Sequence, residues 1–248
     1  CPRAASRARL RADAAPGWCW LRMRMGTGAP PAYRSNTCRV ASVLAAGPLP
    51  GERLSDTPLR IGVLDGFGLA PDPGVRDLFD LALKTLEGMG HRLVGIDQPL
   101  LADGLSILAR IYAPEAARRH AARLRDRPRD FSAQVRSDLE RGMRLDDAKY
   151  EQALAERRAL RTALDEAMAS LDFLATPATA HPARPFGSPD PHTYLVYTCP
   201  FSLSGQPAVS VPMGEAEGLP AGLQLAAPRN QDTTLLDLAA RFEREREK

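Results

Sequence analysis

The chain has 248 residues, of which 44% are hydrophobic and 25% charged, and its formal net charge is +3. These values are ordinary for a globular protein with a substantial core, as one large domain or two small ones. A net charge this small does not indicate a nucleic-acid partner. The sequence contains no run of about 18 apolar residues, so it predicts no membrane span. The four cysteines show no metal-ligand spacing, so we expect a reduced, cytoplasmic setting with no metal or other cofactor.

Residues 1–42 differ in composition from the rest of the chain. Through residue 50 the eight basic residues are all arginines and Asp13 is the only acid, while no helical or strand period is sustained. Such a segment could be a transit peptide or a basic arm for nucleic acid. The preferred interpretation is that residues 1–42 do not belong to the domain and come from a shifted reading frame or a misassigned exon. We therefore predict a disordered or poorly packed segment at 1–42 and a domain at 43–248.

A strand–helix–strand unit opens the domain. Residues 59–64 predict a strand, and Asp72 followed by Pro73 predicts the start of a helix. Apolar residues follow at spacings of three and four, Gly90 predicts the helix end, and residues 91–96 predict a second strand. Because such units form parallel strands with a right-handed crossover, we expect an α/β fold.

A helical region follows from about 102 to 169, with a kink or break expected at Pro114. Asp146 is the expected N-cap of the second long helix. A strand is predicted after that helix, at residues 172–177. After a proline-rich loop at 180–192, a segment punctuated by proline and glycine spans 198–207. Strands are predicted at 208–212 and 222–226 with a turn at 218–221, before a last helix capped by Asp232.

The stretch PFSLSGQPAVSVPMG at 200–214, followed by GLPAGLQLAA at 218–227, resembles the carboxyl-terminal signature of the amidase signature family. These are serine amidohydrolases, and they include small-molecule amidases and the A subunit of glutamyl-tRNA amidotransferase. The resemblance covers about residues 45–242, roughly the second half of a family member. It implies the carboxyl-terminal part of a three-layer α/β/α fold whose mixed sheet is flanked by helices.

The family's catalytic set is a lysine, a bridging serine in a cis peptide and a nucleophilic serine, with the serines in glycine-rich segments. This sequence has neither a Ser-Ser nor a Gly-Gly dipeptide, and its lysines are Lys84, Lys149 and Lys248. The first two fall in predicted helices among charged neighbours, as solvated lysines do. We therefore assign no catalytic residue and expect a truncated, inactive amide hydrolase. The alternative is a non-catalytic fragment or pseudoenzyme that acts at most as a binding module.

A different serine site is a weak alternative. Ser202 and Ser204 lie near His181 and His192 in the sequence, but serines in a loop rich in proline and glycine are usually turn residues. No histidine spacing predicts a metal site, so the metal prediction is none.

The resemblance also implies which residues line the substrate pocket. The matching positions are Tyr112, Tyr197, Thr198, Cys199 and Phe201, although ordinary core packing explains the aromatic residues equally well. In the amidotransferase the A subunit has an aspartate a few residues before its equivalent of Pro200, and the segment 195–198 has none, which favours a generic amidase. The expected partner is a small-molecule amide, with no nucleic acid or membrane, and with a homo-oligomer possible through an exposed sheet edge.

Overall fold

The computed structural model describes residues 54–64, 68–185, 187–188 and 193–248. The arginine-rich segment 1–42 and the predicted boundary at 42/43 lie outside these residues, so both remain predictions. In the described part of the chain, no helix has the length and apolar character needed to cross a membrane. The cytoplasmic location also stays a prediction.

A five-stranded mixed sheet forms the centre of the fold. Its strands are β1 (Arg60–Leu64), β2 (Arg92–Ile96), β3 (Phe173–Pro177), β4 (Ala208–Ala216) and β5 (Leu219–Ala226). They lie in the order β2-β1-β3-β5-β4. The first three are parallel, whereas β5 runs antiparallel to both β3 and β4. The predicted parallel pairing of the first two strands is confirmed.

Six helices accompany the sheet in the described residues. They are α1 (Pro73–Gly88), α2 (Gly104–Asp126), α3 (Ala133–Met143), α4 (Asp147–Met168), α5 (Cys199–Ser204) and α6 (Asp232–Arg246). Asp146 caps α4 as predicted, because its side chain accepts a hydrogen bond from the Ala148 N–H. The predicted cap of the last helix is displaced by one residue, since Gln231 is the N-cap and Asp232 is the first helical residue.

Two buried clusters of apolar side chains lie on opposite faces of the sheet. One face packs against α1 and α6 through side chains such as Phe79, Phe173 and Phe242. The other packs against α2, α4 and α5 through side chains such as Ile111, Leu164 and Phe201. Helices therefore cover both faces, and the predicted α/β/α layers with a mixed sheet are confirmed.

The β4–β5 hairpin corrects the predicted turn. The strands pair from Ala208–Ala226 to Ala216–Leu219, so positions 219–221 belong to β5 rather than to a turn. The turn is instead Glu217 and Gly218, both with positive φ, at 55° and 72°. Two consecutive residues of positive φ match the twist of a tight hairpin, which lets both strands extend past their predicted ends.

Two other expectations about proline are revised. The helix α2 continues through Pro114, which is buried within it, so the break does not occur, while the alternative of a kink stays a prediction. Burial of neighbours such as Ile111 and Ala117 offsets the roughly 3 kcal/mol that an interior proline costs. The segment predicted as a punctuated loop at 198–207 contains α5 instead. Pro200 lies in the first turn of α5, where a missing N–H is tolerated, and Gly205 ends it with φ of 82°.

The start of the described chain contacts its last helix, α6. The Leu54 N–H donates to the Asp237 carboxylate over 3.2 Å. The Arg241 guanidinium donates to the Leu54 carbonyl over 2.7 Å. The start of the described domain is therefore fastened to α6.

The edge strands of the described sheet are β2 and β4. β2 is short, with five residues. β4 contains Pro212 and a register irregularity between Pro212 and Gly214. Proline and bulges are features that limit strand addition at an edge. The homo-oligomer expected through an exposed edge stays a prediction.

Candidate active-site face

The parallel strands β1, β2 and β3 end at one edge of the sheet, and the segments that follow them gather there. Crevices outside the carboxyl ends of such strands are the usual ligand sites of open α/β sheets. The Asp72 N–H donates to the Ala180 carbonyl over 2.7 Å, which joins the segment after β1 to the segment after β3. This edge is therefore the candidate site.

Tyr197 is the buried link within this edge. Its side chain is fully buried, and its hydroxyl donates to the Leu69 carbonyl over 2.5 Å. The Gln224 side-chain amide donates to the Tyr197 carbonyl over 2.8 Å. One residue thus connects the segment after β1 with the centre of β5, which fixes the entry to α5.

Four of the five predicted pocket residues come together. Tyr197, Cys199 and Phe201 are buried in the same apolar cluster, and Thr198, half-buried, precedes α5. Tyr112 lies on α2 with a side chain 60% exposed, outside that cluster. A pocket-lining role stays a prediction for all five, and the burial of the first three accords with the alternative of core packing.

Cys199 is held as a neutral thiol. Burial raises the pKa of this thiol to about 12. The absence of a side chain at Gly104 makes room for it, because a Cβ there would lie 3.1 Å from the Cys199 Sγ. Since the thiolate is the nucleophilic form, Cys199 is a packing residue here.

A histidine–threonine pair lies in the segment after β3, and sequence reasoning missed it. His181 is 7% exposed. Its Nε2 lies 2.7 Å from the Thr193 Oγ1, and its Nδ1 lies 3.0 Å from the Pro182 carbonyl oxygen. Because a carbonyl only accepts, Nδ1 carries the proton, and in the neutral ring Nε2 accepts from the Thr193 hydroxyl. The pair joins the two sides of the proline-rich segment.

The weak alternative of a serine–histidine site does not form among the described residues. The Ser202 hydroxyl donates to the Thr198 carbonyl, and the Ser204 hydroxyl donates to the Phe201 carbonyl. Both bonds are local bonds to the helix backbone, so neither serine has a base. His192 lies outside the described residues.

A polar row crosses the sheet on the face that packs against α2, α4 and α5. Thr176, Gln224 and Ser210 are direct neighbours in the register of β3, β5 and β4. The first two are buried, whereas Ser210 is exposed. The face therefore opens to solvent at the β4 end. The alternation of Val209 and Val211 with Ser210 was the sequence signal for this row.

All three lysines of the sequence lie on helical surfaces or at the chain end. Lys84 is on α1, Lys149 is on α4 and Lys248 is the last residue; each is exposed. The described residues also contain no group of three histidine, cysteine or acidic side chains that could hold a metal ion.

The mixed sheet between helical layers is also the fold of a solved amidase. The chain aligns with that crystal structure at a TM-score of 0.76 and 29% identity, over 85% of this chain and 50% of that one. The family model Amidase matches residues 49–236. The chain therefore belongs to the Amidase family, as its signature stretch indicated.

This amidase and the amidotransferase A subunits that resemble the chain are about twice as long as the part they share with it. The A subunit of the Thermus thermophilus glutamyl-tRNA(Gln) amidotransferase is 32% identical over 223 residues, which are 79% of this chain and 46% of that protein. Its counterpart in Pseudothermotoga lettingae is 32% identical over 70% of this chain and 43% of that protein. The solved counterpart from Thermotoga maritima superposes at a TM-score of 0.56 and 26% identity, over 76% of this chain and 44% of that one. The chain thus spans less than half the length of these relatives.

Proposed function

We propose that this chain is the carboxyl-terminal part of an amide hydrolase, and that its site edge forms one wall of the substrate cleft. The groups that cleave the amide belong to sequence that this chain does not contain. On this proposal the 248 residues alone do not hydrolyse amides.

The exposed lysines are the observation that supports this proposal. A lysine acts as a general base only when burial or neighbouring cations lower its pKa and keep it neutral. Lys84, Lys149 and Lys248 are all exposed, so none of them lies in the buried setting that a lysine base needs. The serines of the site edge donate to helix carbonyls, which leaves no activated hydroxyl beside a base among the described serines of α5.

The test is an assay of the purified chain with an aryl amide and a primary amide. We expect no turnover above buffer, and no covalent adduct with a fluorophosphonate probe in the intact mass. The His181–Thr193 pair is the arrangement that most resembles a base and a hydroxyl, so His181→Ala and Thr193→Val are the informative variants. Turnover that survives repurification and is lost in both variants would overturn the proposal.

The A subunit of a tRNA-dependent amidotransferase is the second candidate. The 32% identity to the Thermus thermophilus protein favours it. Two observations favour a generic amidase instead. The TM-score is 0.76 for the amidase against 0.56 for the solved Thermotoga maritima protein, and no acidic side chain occurs in 195–198 to hold a glutamine amine. A thermal shift with glutamine but not with benzamide would reverse this preference.

A further inference from the structure

The charges of the domain are unevenly distributed. From residue 54 to the end there are 24 basic and 28 acidic residues, a net charge of −4. The segment 118–130 alone contains six arginines and two aspartates, a charge of +4, so the rest of these residues carry −8. The small net charge of the chain therefore conceals a basic patch on an acidic domain.

Three arginines of this patch form a line on α2, which we call the arginine stripe. They are Arg119, Arg123 and Arg127, the last being the C-cap of the helix. With a rise of 1.5 Å per residue, residues four apart lie about 6 Å apart along the axis. All three are exposed, and the buried positions Ala117 and Leu124 lie on a different side of the helix.

Aromatic rings lie at both ends of the arginine stripe. Tyr112 precedes Arg119 by about two helical turns, on the same side of α2, and its side chain is 60% exposed. After the helix, the Arg123 guanidinium lies over the ring of Phe131 at 5.6 Å from its centroid. The His120 ring meets the same ring edge-on at 5.8 Å.

Part of the patch is available to bind an anion. Arg123 pairs with Asp130 at 3.1 Å, and Arg125 pairs with Asp126 at 3.0 Å. Arg119, Arg127 and Arg129 have no acidic partner among the described residues. A face that is merely solvated usually mixes its charges, as α4 does with Glu151, Glu156, Arg158 and Arg161.

We propose that the arginine stripe, together with Arg129 and Tyr112, binds a single-stranded nucleic acid. Phosphates lie against the guanidinium groups and a base stacks on the Tyr112 ring. Sites for single strands combine cations that follow the backbone with aromatic platforms for the bases, and guanidinium groups bind phosphate through paired N–H donors. The expectation of no nucleic-acid partner rested on net charge alone, which averages the patch away.

Fluorescence anisotropy of the full chain with a labelled oligouridylate tests this proposal. The triple variant R119Q/R127Q/R129Q removes three cations from the patch. The matched control R144Q/R158Q/R161Q removes three exposed cations from α4 and the end of α3. We expect the patch variant to weaken binding at least tenfold and to reduce the salt slope by about 2, since each lost phosphate contact lowers it by about 0.7 for single strands. Tyr112→Ala should weaken binding by about tenfold.

Several outcomes would overturn the proposal. Equal losses in the two triple variants would assign the binding to general electrostatics or to the arginines of residues 1–53. No detectable binding of the parent chain at low salt would reject the site outright. Tighter binding of polyglutamate than of oligouridylate would assign the patch to an acidic protein. All six substituted arginines are exposed, so their substitution should leave the core intact. An unchanged thermal midpoint confirms that each variant is folded.

Discussion

Removing the Tyr197 hydroxyl tests whether this residue holds the candidate site together. The Tyr197→Phe variant keeps the ring in its fully buried position and deletes the hydroxyl that donates to the Leu69 carbonyl. The control is Tyr194→Phe, which makes the same change at a side chain that is 44% exposed. Comparing the two variants separates the effect of losing this hydrogen bond from the effect of removing any tyrosine hydroxyl.

The expected cost follows from the geometry of the bond. The bond is partly buried, and leaving its carbonyl without a donor costs about 1–3 kcal/mol. For a domain of this size, each 1 kcal/mol lowers the thermal midpoint by about 2–4 °C. A loss of about 2 kcal/mol therefore predicts a decrease of about 4–8 °C for Tyr197→Phe, whereas Tyr194→Phe should change the midpoint by less than about 1 °C.

Differential scanning calorimetry measures both midpoints. Hydrogen exchange adds a local readout, because exchange in 68–72 should quicken in Tyr197→Phe alone. Equal midpoints for the two variants, with unchanged exchange after β1, would show that the hydroxyl contributes nothing to stability and that Tyr197 does not hold the segments together.

Three further predictions concern packing, reactivity and pH. Gly142→Ala should destabilise by about 1–3 kcal/mol in urea unfolding, because its Cβ would overlap a main-chain carbonyl of α2, whereas Gly88→Ala meets nothing within 4 Å and should be neutral or slightly stabilising. Cys199 should resist iodoacetamide at pH 8 and react in urea, because burial raises its pKa to about 12; peptide mass spectrometry measures this. The pKa of His91 is lowered by burial and by Arg241, with Asp172 opposing, so the unfolded chain holds the proton more tightly and stability should fall as pH drops below 6.5.

Each of these has a contrary result. Equal stabilities for Gly142→Ala and Gly88→Ala would mean that α2 and α3 can separate at little cost. Labelling of the folded Cys199 peptide within minutes would mean that the thiol reaches solvent. For His91, the test is urea unfolding between pH 8 and pH 5: a His91→Asn variant with the same pH dependence as the parent chain would mean that other groups cause it.

Local patterns predicted much of the fold. The parallel pairing of β1 and β2 followed from the strand–helix–strand unit, and the cap at Asp146 followed from its residue type. The errors occurred where tertiary packing outweighs local preference. Pro114 predicts a break in isolation, yet burial of the surrounding helix maintains α2. The turn places Glu217, a non-glycine residue, at a positive φ, which the propensity of glutamate does not indicate.

The candidate site was less predictable than the fold. The signature stretch identified the segment around Tyr197, but the bond from its hydroxyl to Leu69 joins residues 128 positions apart. The pairing of His181 with Thr193 likewise joins residues 12 positions apart in the sequence. Sequence spacing contains no information about such contacts, because they are set by the order of strands in the sheet.

The hydrogen bonds between Leu54 and α6 bear on whether the domain tolerates circular permutation. Since the beginning of the described domain lies against its last helix, a linker can join the two ends and leave the hydrogen bonds of the sheet in place. A circular permutant that joins residue 248 to residue 54 through a flexible linker, and opens between Glu217 and Gly218, should retain every strand pairing except the tight turn itself. The same arrangement favours insertion of the domain into a surface loop of another protein, since host sequence would enter beside α6 and leave from the end of that helix.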